Sequence, residues 1–503
     1  VQTAIDPQMC GIAGFGSMQL YLPDQGQHHF IDFHGRAPAA TQEDMWEDIV
    51  ISETEDGFGF VLEGGVNDLG YQSITSPGSI KAFAEAIERY GNLTLAELLE
   101  PAIEYCEQGF AVRTHVASYW NLVEAAGRIP HIERLRAIPA TAKIYTREDG
   151  SIYKAGEILR NPDMGNTYRR IASAGVEDFY EGEIASKIAA DMKENGGLLS
   201  GDDLRDFQTE QSEPVWGEFH GYEVATNPLP GGGAMVIEML NILSHFDLKA
   251  MGHNSSRYIA TVAEAMKIAT VDKDRHMGDP RYVDVPLNVL LSAEHAEKMA
   301  TRIRTGEKTP VPRLNSGADN KDTTHVCAVD DMGNCVSMTH SLGNPSGVVT
   351  EGLGFMYNGC MNVFDPRPGR SNSLAPGKSR FTAMSPTIVF KDKQPYLVIG
   401  APGGTYITMG VLQGILNCLV FGMNAQETVA SPRFCVTSDV IDVTNRIPRY
   451  IQSELESLGY QVRRSHQSFG FAGVHAIRIN EQGWDGGADP GRDGMSLQTR
   501  PKP

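Results

Sequence analysis

The stretch Thr323-Thr-His-Val-Cys-Ala-Val-Asp-Asp-Met-Gly-Asn-Cys-Val-Ser-Met-Thr339 lies where the texture of the chain changes. Val326 to Val329 predicts a short strand, Asp330-Asp-Met-Gly-Asn334 a turn, and Cys335 to Thr339 the returning strand of a hairpin. Upstream, residues 306–322 are rich in Gly, Thr, Pro, Asn and Asp and read as an exposed connector. Thr323 therefore stands where a connector ends and a strand begins. A Thr in that place is ordinarily a β-branched residue opening a strand. The chemically specific alternative needs the peptide bond before it to be cut. Thr323 would then own a free α-amine beside its hydroxyl. Such an amine has a pKa of ~7.7–8.0, so part of it is neutral near pH 7. It can take the hydroxyl proton and make Oγ nucleophilic without a separate His and Asp.

A nucleophile of this kind needs hydrogen-bond donors for the developing oxyanion. Ser385 to Phe390 and Pro395 to Gly400 predict a second hairpin, joined through Lys391-Asp-Lys-Gln394. Ala401-Pro-Gly-Gly404 follows, ahead of a helix predicted over Tyr406 to Phe421. Free amides at a helix N-terminus donate readily, and glycines admit a substrate to the backbone. The plain alternative is an ordinary Gly-rich strand-to-helix turn. Pro230-Gly-Gly-Gly-Ala234 also suits an anion at a helix start but lacks the Lys-Ser/Thr of a phosphate loop. Gly11-Ile-Ala-Gly-Phe-Gly16 only loosely resembles a dinucleotide loop. His325 and His340 bracket the first hairpin and read as packed histidines. Cys360 reads as a half-buried thiol before it reads as a nucleophile.

Working outward, residues from about 80 to 310 carry helical periodicity. Ile80 to Tyr90 and Leu95 to Glu107 predict helices, the second with Thr94 and Glu97 at capping-box spacing. Residues 167–195 and 254–270 predict more helix, and Ser200 with Asp202 and Asp203 marks a helix start at 200–207. The chain has 503 residues, 43 basic and 63 acidic, for a net charge of −20. That charge argues against nucleic acid and anionic membranes as partners. The best apolar run, Val411 to Phe421, is interrupted by Gln413, Gly414 and Asn417, and falls short of the ~20 residues of a membrane helix. Seven cysteines without a CxxC pair argue against a disulfide framework or zinc site and lean towards a reducing, cytoplasmic compartment over a periplasmic one. No cofactor or metal is expected.

The hairpin from Thr323 to Thr339 resembles the start of the small subunit of gamma-glutamyltransferases. Further similar stretches follow in order: Pro376 to Arg380, Met384 to Val389, Gly400 to Gly404 and Ala430 to Phe434. Upstream, Asp32-Phe33, Ala37-Pro38, Pro101-Ala102, Gly109-Phe110, Asp178 to Ile184 and Asn195 to Leu199 also resemble the family. The resemblance spans nearly the whole chain. It implies an α+β fold, the αββα four-layer sandwich of the N-terminal nucleophile hydrolases. It implies a precursor cut before its catalytic Thr, with residues 1–322 as a helix-rich large subunit and 323–503 as the small one. The two fragments would pair as a heterodimer, with a higher homo-oligomer left open. It further implies a segment of ~50 residues ahead of the match to residues 6–16. The implied activity is hydrolysis or acyl transfer on a small-molecule amide through an acyl-enzyme. By position, Thr323 is the nucleophile, Ser341 supports its α-amine, and Gly403 and Gly404 form the oxyanion hole.

The substrate pocket departs from the family pattern. The Arg that holds the substrate α-carboxylate falls at His34, with Arg36 displaced by two. The Asp that pairs with the substrate α-amine falls at Val363, with Asn362 beside it. The usual Gln falls at Cys360, the Ser-Ser pair at Thr382-Ala383, and the loop from Leu342 to Gly347, which carries Asn344, is about two residues short. Burying an ammonium without a counter-charge costs roughly several kcal/mol. The expected substrate is therefore a monoamide of a dicarboxylic acid of glutaryl, succinyl or oxalyl type, its free carboxylate clamped by Arg36, similar to the cephalosporin acylases. Two alternatives stand beside it: a true γ-glutamyl hydrolase or transferase of glutathione-like substrates, and a non-catalytic relative that only binds.

Overall fold

The structure is a computed structural model and describes residues 1–54, 57–122, 127–312, 323–465, 470–481 and 483–499. Of the connector read at 306–322, residues 313–322 lie outside the described residues. The chain lays down β1 (Phe15–Leu22) and β2 (Gln27–Phe33), then α1 (Ser79–Tyr90), α2 (Leu95–Gln108), α3 (Pro162–Ala174) and α4 (Glu183–Glu194). Next come β3 (Glu210–Ser212), β4 (Val215–Phe219) and β5 (Tyr222–Thr226), followed by α5 (Gly233–Leu243), α6 (Ser256–His276) and α7 (Ala293–Arg304). The remainder supplies β6 (Thr324–Val329), β7 (Cys335–Ser341), β8 (Thr387–Lys391), β9 (Gln394–Gly400), α8 (Ile407–Leu419), β10 (His475–Asn480) and β11 (Gly483–Ala488).

Two antiparallel sheets result, one ordered β6-β7-β1-β2-β3 and the other β11-β10-β9-β8-β5-β4. They lie face to face, with β6 and β7 against β9 and β10. Strand alternation explains the layering. Met18 and Leu20 of β1 pack with Ile31, Phe33, Val336 and Met338 beneath Ala82 and Phe83 of α1. The intervening side chains turn to the other sheet. Cys335 packs there with Ile388, Phe390 and Val398. Gln19 donates to the Pro386 and Ala225 carbonyls at 2.5 and 3.2 Å, and Ser337 Oγ donates to the Ile399 carbonyl at 3.1 Å. On the far side of the second sheet, α5, α6 and α8 bury Val236, Leu240, Val262, Met266, Leu412 and Ile415 in one core. The four layers are the αββα sandwich of an α+β fold.

The helix signals hold at their caps more than at their spans. Thr94 Oγ1 accepts the Glu97 N–H at 3.2 Å while Glu97 accepts the Thr94 N–H at 2.7 Å. Ser200 and Asp203 form the same reciprocal box. The helix expected over 167–195 is instead two helices with a single helical turn, Glu177–Tyr180, between them. α3 starts early because Asn161 caps the Met164 N–H and Pro162 suits a first turn. It ends at Gly175, and α4 starts after Gly182. Asp178 holds the junction, accepting from Arg170 Nε at 2.6 Å and from the Glu183 N–H at 3.1 Å.

Candidate active site

The pairing of β6 on β7 positions Thr323. Thr324 stands opposite His340 and His325 opposite Thr339. One step back, the same register puts Thr323 opposite Ser341, the last residue of β7. The period of two gives Thr323 the same face as His325 and Cys327, towards the other sheet. Thr323 is 5% exposed and Ser341 is fully buried. Ser341 Oγ accepts the Gly343 N–H at 2.8 Å, which fixes the bend of the chain as it leaves β7.

The facing sheet brings the second half of the site. β9 ends at Gly400, and Ala401 to Gly404 leads through a single 3-10 turn, Gly404–Tyr406, into α8. Gly403 has φ 140° and Gly404 φ 55°. A Cβ at Gly403 would stand 2.6 Å from Ala472 Cα, so only glycine passes there. Gly404 lines one pocket with Thr323 and Ser341, at the end of a helical run where free N–H groups carry partial positive charge. The pocket has a volume of about 30 Å³, and Asn344, Asn362 and Thr382 also line it. Asn362 Nδ2 donates to Asp68 Oδ1 at 2.9 Å, and Thr382 Oγ1 accepts the Met384 N–H at 3.3 Å.

Other expected site residues are placed elsewhere. His34 and Arg36 line a different small cavity, with Asp32, Glu210, Asp279 and Arg281. Arg36 Nη2 donates to Glu210 Oε1 at 2.7 Å and to the Gln208 carbonyl at 2.9 Å, and His34 Nδ1 pairs with Asp32 Oδ1 at 2.8 Å. A guanidinium already paired with a carboxylate in another cavity is not a clamp for an acyl group on Thr323, which corrects the expectation for Arg36. Cys360 is buried behind the pocket wall, its Sγ 3.9 Å from Arg380 Nη2, and burial pushes its thiol above the ordinary range. Gly403 sits one residue from the lining and packs on Ala472.

The guanidinium groups in the pocket are Arg380 and Arg128. Arg380 is 4% exposed. Its Nη1 donates to the Phe381 carbonyl at 2.9 Å, and its plane lies 4.7 Å from the Phe15 ring and 5.6 Å from the Phe58 ring. Its Nε is buried without a hydrogen-bond partner, and among the described residues no carboxylate pairs with it. Burial pulls its pKa below the ordinary Arg value, and the charge of Arg128 adds to that pull. Arg128 Nη2 donates to the Phe58 carbonyl at 3.0 Å. Sequence reading quoted Arg380 only inside a motif and passed over Arg128. Arg128 sits in irregular chain with no periodicity to mark it, whereas the surplus of an Arg inside an apolar, Ser- and Pro-rich stretch was a usable signal for Arg380.

The histidines behave as packing groups. His325 Nδ1 meets Thr339 Oγ1 at 2.8 Å, its ring stacks 6.5 Å from His475, and burial drives its pKa far down. Burial holds His340 neutral as well, at a pKa of about 3. The glycines from 231 to 233 are no open anion cradle. Gly232 N–H donates to the Met384 carbonyl at 2.9 Å, and a Cβ on Gly233 would stand 2.1 Å from the Asn227 carbonyl oxygen. The loop at Gly11 to Gly16 runs into β1, not into a helix. Among the described residues one trio brings metal-capable atoms together, Glu238, Asp272 and His295, and it lies outside the Thr323 pocket. There the imidazole Nε2 sits 3.1 Å from Glu238 Oε1 and 3.5 Å from Asp272 Oδ2, between the two carboxyl groups. No helix of the described residues is long and apolar enough to cross a membrane.

This fold and this site define a class, and comparison with known proteins agrees. The family model for gamma-glutamyltranspeptidase matches residues 1–499, and the chain belongs to that family of hydrolase and transferase enzymes. Among its relatives is the acylase ACY 1 proenzyme of Pseudomonas sp. (strain V22), 33% identical over 96% of this chain and 84% of that protein. The glutathione hydrolase proenzyme of Escherichia coli (strain K12) is 31% identical over 86% of this chain and 74% of that protein. Among solved structures, the cephalosporin acylase from Bacillus halodurans superposes with a TM-score of 0.87 at 27% identity, covering 100% of this chain and 90% of that one.

Proposed function

We propose that the chain is a self-processing amidohydrolase that uses Thr323 as an N-terminal nucleophile on the amide of a small dicarboxylic acid. Cleavage of the bond between Asp322 and Thr323 frees the α-amine. That amine takes the proton of Thr323 Oγ as the oxygen attacks the substrate carbonyl carbon. The carbonyl electron pair moves to oxygen, which the Gly403 and Gly404 amides receive. Collapse expels the amine, which leaves with the proton, and Oγ keeps the acyl group. Water then attacks the ester by the same route, releasing the free acid and restoring the hydroxyl. Ser341, opposite Thr323, holds the α-amine in place, and Asn344, on the pocket wall, contacts the substrate.

One observation carries the choice of substrate. The pocket that Thr323 shares with Ser341 and Gly404 is lined by two guanidinium groups, Arg380 and Arg128, and by no Asp or Glu among the described residues. Arg380, buried and paired with no carboxylate among the described residues, favours an incoming carboxylate and repels an ammonium. Val363, buried where the family carries an acid, offers nothing to a glutamyl α-amine. A short acyl chain ending in a carboxylate fits, and the acylase relatives support this reading over the glutathione hydrolases. The test compares glutaryl-4-nitroanilide with γ-glutamyl-4-nitroanilide. The glutaryl substrate is expected to have the higher kcat/KM, and faster release from the γ-glutamyl substrate would return the chain to glutathione-like chemistry.

A further inference from the structure

Phe58 and Val363 line the Thr323 pocket and also a second cavity of about 420 Å³, against about 30 Å³ for the inner pocket. The inner pocket holds only a short group. Thr323 also borders a cavity of about 350 Å³ on its other side, beside Gln2, His325 and His475. On the Ser341 side, whatever does not fit the inner pocket projects past Phe58 and Val363.

The charges on the outer wall are sorted unevenly. Arg367 grips Asp365 through two hydrogen bonds of 2.8 Å, and Lys273 pairs with Asp274. Glu53 contributes one further acid. Arg275, in the last turn of α6, and Arg370 also line the cavity. Both are exposed, and neither side chain makes a hydrogen bond or ion pair with a described residue. Two uncommitted guanidinium groups around one cavity stand out on a chain of net charge −20, whose overall field opposes an anion.

We propose that the outer cavity is a second anion subsite, in which Arg275 and Arg370 receive a further carboxylate of the substrate. This rests on the reading of the inner pocket as the catalytic one. The preferred substrates are then polycarboxylates, with one carboxylate held by Arg380 and another at the outer Arg pair. The second carboxylate belongs either to the acyl group or to the leaving amine, and both present the same planar, bidentate anion.

The experiment uses the processed enzyme and two matched pairs of chromogenic amides. In the first pair the amine changes, glutaryl-4-nitroanilide against glutaryl-3-carboxy-4-nitroanilide. In the second the acyl group changes, glutaryl against 3-carboxyglutaryl 4-nitroanilide. The measured quantity is the ratio of kcat/KM, carboxylated over plain, in wild type and in the double variant R275Q/R370Q. The proposal expects that ratio to fall about tenfold in one pair, through KM, and the pair affected identifies the source of the carboxylate. The same wild-type preference weakens as ionic strength rises. An unchanged ratio in both pairs overturns the proposal. If wild type turns over none of these amides, the catalytic reading of the inner pocket has failed. Calorimetric titration then decides the outer one: the double variant must bind propane-1,2,3-tricarboxylate more weakly relative to glutarate, and an equal relative affinity overturns it.

Discussion

Arg380 is the side chain on which the proposed carboxylate binding depends most. It is buried, sandwiched by Phe15 and Phe58, and short of a partner at Nε. A charge-assisted hydrogen bond to a carboxylate is worth ~1.5–3 kcal/mol, so Arg380→Gln is expected to raise KM for a glutaryl amide roughly tenfold or more. Far-ultraviolet circular dichroism and a melting curve keep misfolding apart from lost binding. Arg36→Ala is expected to leave that KM unchanged, because Arg36 is engaged with Glu210 in another cavity. Val363→Asp supplies the acid that the pocket lacks. It is expected to lower kcat/KM for the glutaryl amide and raise it for the γ-glutamyl amide, and a rise for both substrates would sink the charge argument. The places of Thr323 at a strand start and of Gly404 in a strand-to-helix turn were legible from local pattern, whereas Ser341 came only from the resemblance to the family. The place of Arg380 in the pocket was not legible, since it depends on contacts with Phe15 and Phe58, more than 300 residues away in sequence, which no local pattern encodes.

At the scale of elements, the proposed mechanism draws its oxyanion donors from the turn between β9 and α8. Gly403→Ala would place a methyl 2.6 Å from Ala472 Cα at a φ of 140°. Strain of this kind costs ~1–3 kcal/mol, so the expected outcome is a lower melting temperature together with a lower kcat. A variant with unchanged kcat would remove the turn from the mechanism. The element signals that could be read in advance were those with a chemical mark. Thr94 with Glu97 and Ser200 with Asp203 announce their helices by reciprocal hydrogen bonds. The break between α3 and α4 was missed because apolar periodicity runs straight through it, while Gly175, Gly182 and the Asp178 contacts end one helix and start the next. The β6–β7 hairpin was legible down to its turn, yet its packing against β9 is a long-range fact.

Seen whole, the molecule is woven across the proposed cut. One sheet takes β1, β2 and β3 from before Thr323 and β6 and β7 from after it, and the other takes β4 and β5 from before and β8 to β11 from after. Fragments so interleaved are expected to co-elute on native size exclusion and to separate only in denaturant. Elution as two separate species would contradict the pairing. Stability should also depend on pH through the trio in α5, α6 and α7. Hydrogen bonds to Asp272 and Glu238 raise His295 to a pKa of about 9 from 6.5, while burial raises Glu238 to about 8 from 4.5. Both groups hold protons in the fold that the unfolded chain would release. Their stabilisation is complete below the unfolded values and is lost as pH climbs through the folded ones, so the melting temperature is expected to fall between about pH 5 and pH 9. Glu238→Gln should flatten that slope, and an unchanged slope would show that the trio does not set it.

The most direct measurement is the intact mass of the purified protein under denaturing conditions, with N-terminal sequencing of each component, for wild type and Thr323→Ala. Thr323 as an N-terminal nucleophile predicts two wild-type fragments, the second beginning Thr323-Thr-His, and a single uncut chain for the variant. A wild-type chain that stays whole through prolonged incubation, or is cut at another bond, would contradict the account.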